Sequence, residues 1–210
     1  MHRRGWARAA AAIAMPLAAC GCFAYGSYQS ARPVDPGKPR ITFAGSRNDQ
    51  HDFGDDVSWT LFEAMGRSAL GRHADFGLRF SALQADRGVG YGGIATADVK
   101  VAEPTNHLAF SLPVQIALWS SESVSVAPGF IGTLPLGSRL EVNGAAKIFI
   151  FPAGFEFWSP AYNLGLGIYS QDRNSWVMRP EVGWLRLEHD PAAFQFGVAL
   201  ELPLNTSPHR

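Results

Sequence analysis

The sequence predicts an all-β chain, a closed antiparallel up-and-down transmembrane β-barrel of about ten strands, with eight as the alternative count. Three observations lead there. In residues 194–202, Phe194, Phe196, Val198, Leu200 and Leu202 alternate strictly with Gln195, Gly197, Ala199 and Glu201. Strand side chains point to opposite faces with period 2, so this run is a strand with one apolar face. Second, the opposite face is small or charged, as a narrow lumen requires and a solvated face does not. Third, no apolar run of transmembrane-helix length follows the N-terminus, while glycine numbers 22 of 210 residues and aromatics reach 12%. Mean hydropathy near zero suits this fold, because membrane strands alternate and their average stays low. Trp176 and Trp184 are spaced to match: their separation covers roughly 27 Å of extended strand. After tilt, that spans most of the ~25 Å apolar band between two aromatic girdles.

Residues 1–19 read as an export signal. Arg3, Arg4 and Arg8 precede an apolar core, Ala9 to Ala19, too short to span a membrane. Leu17-Ala18-Ala19-Cys20 resembles a bacterial lipobox, which makes Cys20 the lipid-modified first residue of the mature chain; the alternative is cleavage nearby, for instance after Ala24. Gly21 stands where an aspartate would retain the chain at the inner membrane. Cys22 is a second acylated or bystander thiol, because a pair one residue apart makes a poor disulfide. No cysteine occurs afterwards, which removes thiolate metal sites and disulfide frameworks. Residues 20–39, with Pro33, Pro36, Gly37 and Pro39, read as a polar, lipid-anchored periplasmic tether.

The barrel is expected over 40–204, followed by a tail at 205–210. A first strand covers 40–46, and 47–56 is a loop whose His51, Asp52, Asp55 and Asp56 lack any metal-ligand spacing. The second strand, 57–65, centres on Val57, Trp59, Leu61 and Met65 with untidy alternation. The third sets Phe76, Leu78, Phe80 and Ala82 against Asp75, Gly77, Arg79 and Ser81. After a glycine-rich turn, the fourth (94–102) sets Ala95, Ala97, Val99 and Val101 against Thr96, Asp98 and Lys100. Residues 107–119 give the longest clean face, from Leu108 to Leu118. Pro113 on its other face removes a ladder donor and predicts an irregularity there. Strands at 122–133, 139–150, 161–169 and 176–185 follow, then the final run. Each is near the ~9–11 residues that a tilted membrane strand needs.

The second faces collect Arg79, Asp98, Lys100, Glu141, Lys147, Arg179, Glu181 and Glu201, with signs balanced. On the lipid face an Arg or Lys near the midplane would cost ~2–4 kcal/mol. Inside, the same groups can pair as a network. A soluble β-domain with its apolar face inward produces the same alternation and is the alternative reading.

Tyr28-Gln29-Ser30-Ala31-Arg32, Pro36-Gly37-Lys38, Arg179-Pro180-Glu181-Val182-Gly183-Trp184 and Phe194-Gln195-Phe196-Gly197-Val198 resemble segments of a known family. It comprises the small, lipoprotein-signalled outer-membrane β-barrels of Gram-negative bacteria. The resemblance implies an outer-membrane location with the lipidated (for example palmitate-bearing) N-terminus on the periplasmic side. It also implies outer-membrane lipid and the barrel-assembly and lipoprotein-sorting machineries as partners, and it implies location and fold more than any activity. Zero net charge argues against nucleic acid as a partner. About ten strands enclose little beyond their own side chains, so a non-enzymatic structural barrel or very narrow conduit is expected, with no cofactor or metal. Two other readings stand beside it: a lipid-anchored periplasmic domain binding an apolar ligand, and a membrane-embedded hydrolase. The second needs converging catalytic groups, and His107 and Ser111, four residues apart on one strand, lie ~13 Å apart.

Overall fold

The computed structural model describes residues 26–51, 56–85, 91–118, 124–150, 158–186 and 192–204. The signal peptide, Cys20, Cys22 and the 205–210 tail lie outside them. Eleven strand segments follow in chain order: β1 (Arg40–His51), β2 (Asp56–Ala69), β3 (Ala74–Ala85), β4 (Tyr91–Ala102), β5 (Leu108–Ala117), β6 (Val124–Val126), β7 (Gly129–Pro135), β8 (Leu140–Ile150), β9 (Trp158–Tyr169), β10 (Val177–Leu185) and β11 (Ala193–Pro203). β6 and β7 are halves of one strand, since both hold the same register against β5 and β8. The barrel therefore has ten strands. Each pairs antiparallel with its sequence neighbour, and β1 pairs with β11 from Arg40↔Pro203 to Gln50↔Ala193. Every described strand is paired on both sides, which is the condition for a sheet to sit in lipid. Followed once round the wall, the registers return to β1 about twelve residues higher, the kind of stagger that tilts barrel strands by ~35–45°.

The irregularity expected at Pro113 falls on the facing strand. The break between β6 and β7 is Ala127-Pro128, opposite Leu112-Pro113. Two prolines across one ladder leave it short of donors, and only Ala127 N–H bridges, to the Pro113 carbonyl at 2.9 Å.

The two faces are inverted relative to a soluble protein. Phe62, Phe80, Phe130, Leu164 and Phe196 point outward and are 56–62% exposed, whereas Lys100 is 2% and Asp75 0% exposed. Nearly every strand presents the face its alternation predicted. β2 does not: Trp59, Leu61 and Met65, read as its apolar face, are buried inside together with Glu63 and Arg67. Phe62 is its one large outward hydrophobic, which is why its alternation is untidy. β1 also runs five residues beyond its predicted end, because Asn48 and Gln50 turn into the polar lumen and so look like loop residues in sequence.

The larger correction concerns the tether. Gly26 to Ala31, Pro33 and Val34 are buried, inside the barrel. A polar segment with no core of its own suits water, and it equally suits a lumen lined with hydrogen-bonding groups.

Candidate functional site

Residues 26–35 form an arm that enters the lumen from the end where Pro39 leads into β1. That end also holds the turns 70–73, 103–107, 136–139 and 170–176, and the Pro39 carbonyl accepts the Leu204 N–H at 2.8 Å. The arm climbs with its polar main chain unpaired to itself, and the wall satisfies it. Near the entrance, Val34 N–H donates to Asp75 (3.0 Å), and the Lys100 ammonium donates to the carbonyls of Ser30 (2.9 Å) and Arg32 (3.0 Å). Ala31 N–H reaches the Thr133 hydroxyl at 2.7 Å, which itself donates to Asn143. Half-way up, Glu181 accepts Ser27 N–H and Tyr28 N–H, each at 2.7 Å, one on each carboxylate oxygen. Asn163 braces that carboxylate at 3.0 Å. Arg79 donates to the carbonyls of Gly26 (2.8 Å) and Ser27 (3.3 Å), and Lys147 reaches the Gly26 carbonyl at 3.5 Å.

Tyr28 is the arm's anchor. Its φ of 47° is in the left-handed region, which costs a non-glycine residue roughly 1–2 kcal/mol. The left-handed bend aims two successive N–H groups at one point, a concavity that suits an anion, and the Glu181 carboxylate occupies it. Tyr28 is 2% exposed and its hydroxyl accepts from Gln195 Nε2 at 2.6 Å. The wall makes room with Gly197: a Cβ there would overlap the Tyr28 hydroxyl.

All eight sequence-assigned lumen residues project inward, with Lys147 half-buried and the other seven buried. They form two groups. Towards the turns, Arg179 lies between Glu141 (2.7 Å) and Glu201 (2.9 Å), above the Tyr169 ring. Nearby, Lys100 pairs with Asp75 at 3.2 Å, and Arg67 bridges Asp75 and Asp98. At mid-height stand Arg79, Lys147 and Glu181, with Arg79 paired to Glu63 at 3.1 Å. Sequence reasoning did not assign Arg40, Glu63, Arg67 or Asp75 to this network. Arg40 pairs with Glu201, and the four add one acid for each base. Asp75 had a legible signal, because it stands on the same face as Arg79 in a cleanly alternating strand. Glu63 and Arg67 were hidden by the reversed face of β2.

Among the described residues, buried charge in the lumen stops at mid-height. Towards the other end, Trp59, Leu61, Leu83, Phe149 and Leu185 belong to one buried apolar cluster that spans the lumen from β2 and β3 to β8 and β10. The site is thus a charged lower storey that grips a polypeptide main chain and an apolar upper storey. The groups weighed for hydrolysis have other partners: Ser111 donates to Asp98 at 2.8 Å, and His107 meets the Thr133 carbonyl at 3.1 Å.

The fold is similar to the COG4313 outer membrane channel from Pseudomonas putida F1, at 11% identity and a TM-score of 0.50, covering 83% of this chain and 98% of that one. The translocator domain of the autotransporter NalP from Neisseria meningitidis aligns at 10% identity and a TM-score of 0.49, over 80% and 89% of the two chains. No protein-family model and no curated protein matches the sequence.

Proposed function

We propose that the chain is a non-enzymatic outer-membrane β-barrel lipoprotein, a structural barrel or very narrow conduit stoppered by its own N-terminal arm. The observation that carries this reading is the arm itself: residues 26–34 fill the lumen and are held through their main chain by buried charges. The membrane setting draws support from the inverted faces, since a water-exposed belt of phenylalanines around a charged interior would be an aggregation surface. A Gram-negative outer membrane fits a closed ten-stranded barrel. Export and anchoring rest on the signal-like residues 1–19 and on Cys20. The barrel termini and the turns are assigned to the periplasmic side, and the connections at 52–55, 86–90, 119–123, 151–157 and 187–191 to the outside, as the export route dictates.

Planar-bilayer recording tests the stopper. The intact protein should show no stable conductance, and a chain lacking residues 26–35 should show a small one, since ten strands are too few for a porin-sized channel. A large steady conductance from the intact protein would remove the reading. Cys20→Ala should abolish fatty-acid labelling, and labelling that persists would assign the acyl group to Cys22 instead.

A further inference from the structure

We propose that the turn end of the lumen holds a binding site for a phosphate group, carried by soluble phosphate or a phosphomonoester. The site needs the arm where the structure places it, and it does not need the arm to close a conduit.

Between the arm and the wall of β1, β2, β10 and β11 lies a cavity of about 60 Å³. That is room for roughly four or five waters, the bulk of one phosphate group. It opens at the turn end, where the side chains of Arg32 and Lys38 reach solvent. Among the described residues, seven lining side chains are cationic and two, Asp35 and Glu201, are acidic. The deeper cations are matched: Arg67 by Asp75 and Asp98, Lys100 by Asp75, Arg179 by Glu141 and Glu201, and Arg40 by Glu201. Four bases thus meet four acids. At the opening the balance fails. Within the lining, Arg32, Lys38 and Arg173 are left with Asp35 alone, 3.4 Å from Arg32 and 3.9 Å from Lys38. Asp172, the acid of the 170–176 turn, lies outside the lining and accepts Asn174 N–H at 2.8 Å. The surplus of two positive charges matches a phosphate group, which carries about −1.5 to −2 near pH 7.

The cations are also held in place. Arg40 donates to the carbonyls of Arg173 (3.2 Å) and Ser175 (2.6 Å), which pins that turn across the mouth. Arg173 gives one Nη to the Gly137 carbonyl at 3.1 Å, and the rest of its five-donor fork is left for a ligand. Arg32 and Lys38 belong to the arm and its lead into β1, Arg173 to the turn on the wall side. Donors from both sides suit a tetrahedral anion, which accepts in every direction, better than a carboxylate, which accepts along one edge. Deeper in the cavity a donor is unmet. Both Nη groups of Arg67 are committed to Asp75 and Asp98, and its buried Nε–H has no partner among the described residues. A buried donor left unpaired is costly, and a phosphate oxygen would satisfy it. Lipid phosphates are held off, because Thr42, Met65, Arg67 and Arg179 face inward behind a closed wall.

The test is equilibrium dialysis of radiolabelled inorganic phosphate against the full folded chain in zwitterionic detergent, with ionic strength held constant by chloride. Binding should saturate at one phosphate per chain. Arg173→Ala should weaken it about tenfold to a hundredfold, the worth of a hydrogen bond to a charged group. Arg72→Ala, exposed on the 70–73 turn and outside the cavity, should leave it unchanged. No saturable binding, or equal losses in the two variants, overturns the proposal. Phosphatidylglycerol added to the micelles should not displace the label; displacement would give the surplus charge to a lipid headgroup and overturn the soluble ligand. Should Arg173→Ala not yield the SDS-resistant folded band, Lys38→Ala, on an exposed side chain, should also weaken binding, and an unchanged affinity refutes the site. Phosphate binding and conductance are separate readings, so failure of the stopper and failure of this site are told apart.

Discussion

Glu181 holds the arm by two charge-assisted hydrogen bonds on an otherwise strained turn, so Glu181→Gln is the sharpest available perturbation. Glutamine keeps the length and one carbonyl oxygen. Its amide group points a donor at a backbone donor, so at most one of the bonds to Ser27 and Tyr28 survives. Hydrogen bonds to charged groups contribute about 1.5–3 kcal/mol each, and the left-handed Tyr28 backbone then lacks part of its compensation. A loss of about 1.5–3 kcal/mol raises the undocked fraction about tenfold to a hundredfold, since 1.4 kcal/mol is a factor of ten. Single-channel recording reads that fraction directly. The native barrel should be silent, the variant should show brief openings, and the chain lacking 26–35 should stay open. If Glu181→Gln is as silent as the native protein while the deletion conducts, the carboxylate is not what docks the arm. If the deletion is silent too, the wall side chains close the lumen unaided and the reasoning fails at its base.

Three further outcomes can be checked by the temperature at which the SDS-resistant folded form is lost. Gly197→Ala should destabilise the barrel by ~1–3 kcal/mol through overpacking on Tyr28 and Ser46, and adding Tyr28→Ala should relieve the larger part of that cost while the contact with the Ser46 Cβ, 2.8 Å away, keeps the rest. Arg67→Met leaves Asp75 and Asp98 without the guanidinium that bridges them and should cost about 3–5 kcal/mol; a change under 1 kcal/mol would show that Lys100 and Ser111 suffice. Val198→Arg should cost ~2–4 kcal/mol if Val198 lies near the membrane midplane, whereas a solvated outer face would tolerate it.

The wall was readable in the sequence and its contents were not. Period-2 alternation is a property of each strand alone, so Phe194 to Leu202 or Leu108 to Leu118 can be assigned to a face without knowing any neighbour. The break at Pro113 was half legible, because a missing donor is certain but which strand yields depends on Pro128 across the ladder. β2 misled because its inward residues Trp59 and Leu61 serve an apolar storey, and one strand cannot reveal that a lumen changes polarity along its axis. The arm was hidden for a related reason. Ser27, Gln29 and Ser30 look alike beside water and beside Asp98 and Lys100, and only the closed wall distinguishes the two surroundings.

The pairing of β1 with β11 has a consequence for the order of events in assembly. These are the ends of the strand series, so their junction carries the longest loop-closure penalty of any pair in the wall. The arm is continuous with β1 and leads straight into it. A polypeptide this close to the closing strand has no need to find a finished hole. It is already lying across the opening when the gap shuts, and the wall is built round it as a cask is built round its bung. Afterwards the covalent link at Pro39 prevents full escape, and withdrawal means sliding back along the axis against every grip it passed. The last junction to form and the filling of the lumen are then one event. A molecule that closes with the arm outside has to thread it back up the axis past those same groups or unzip that seam.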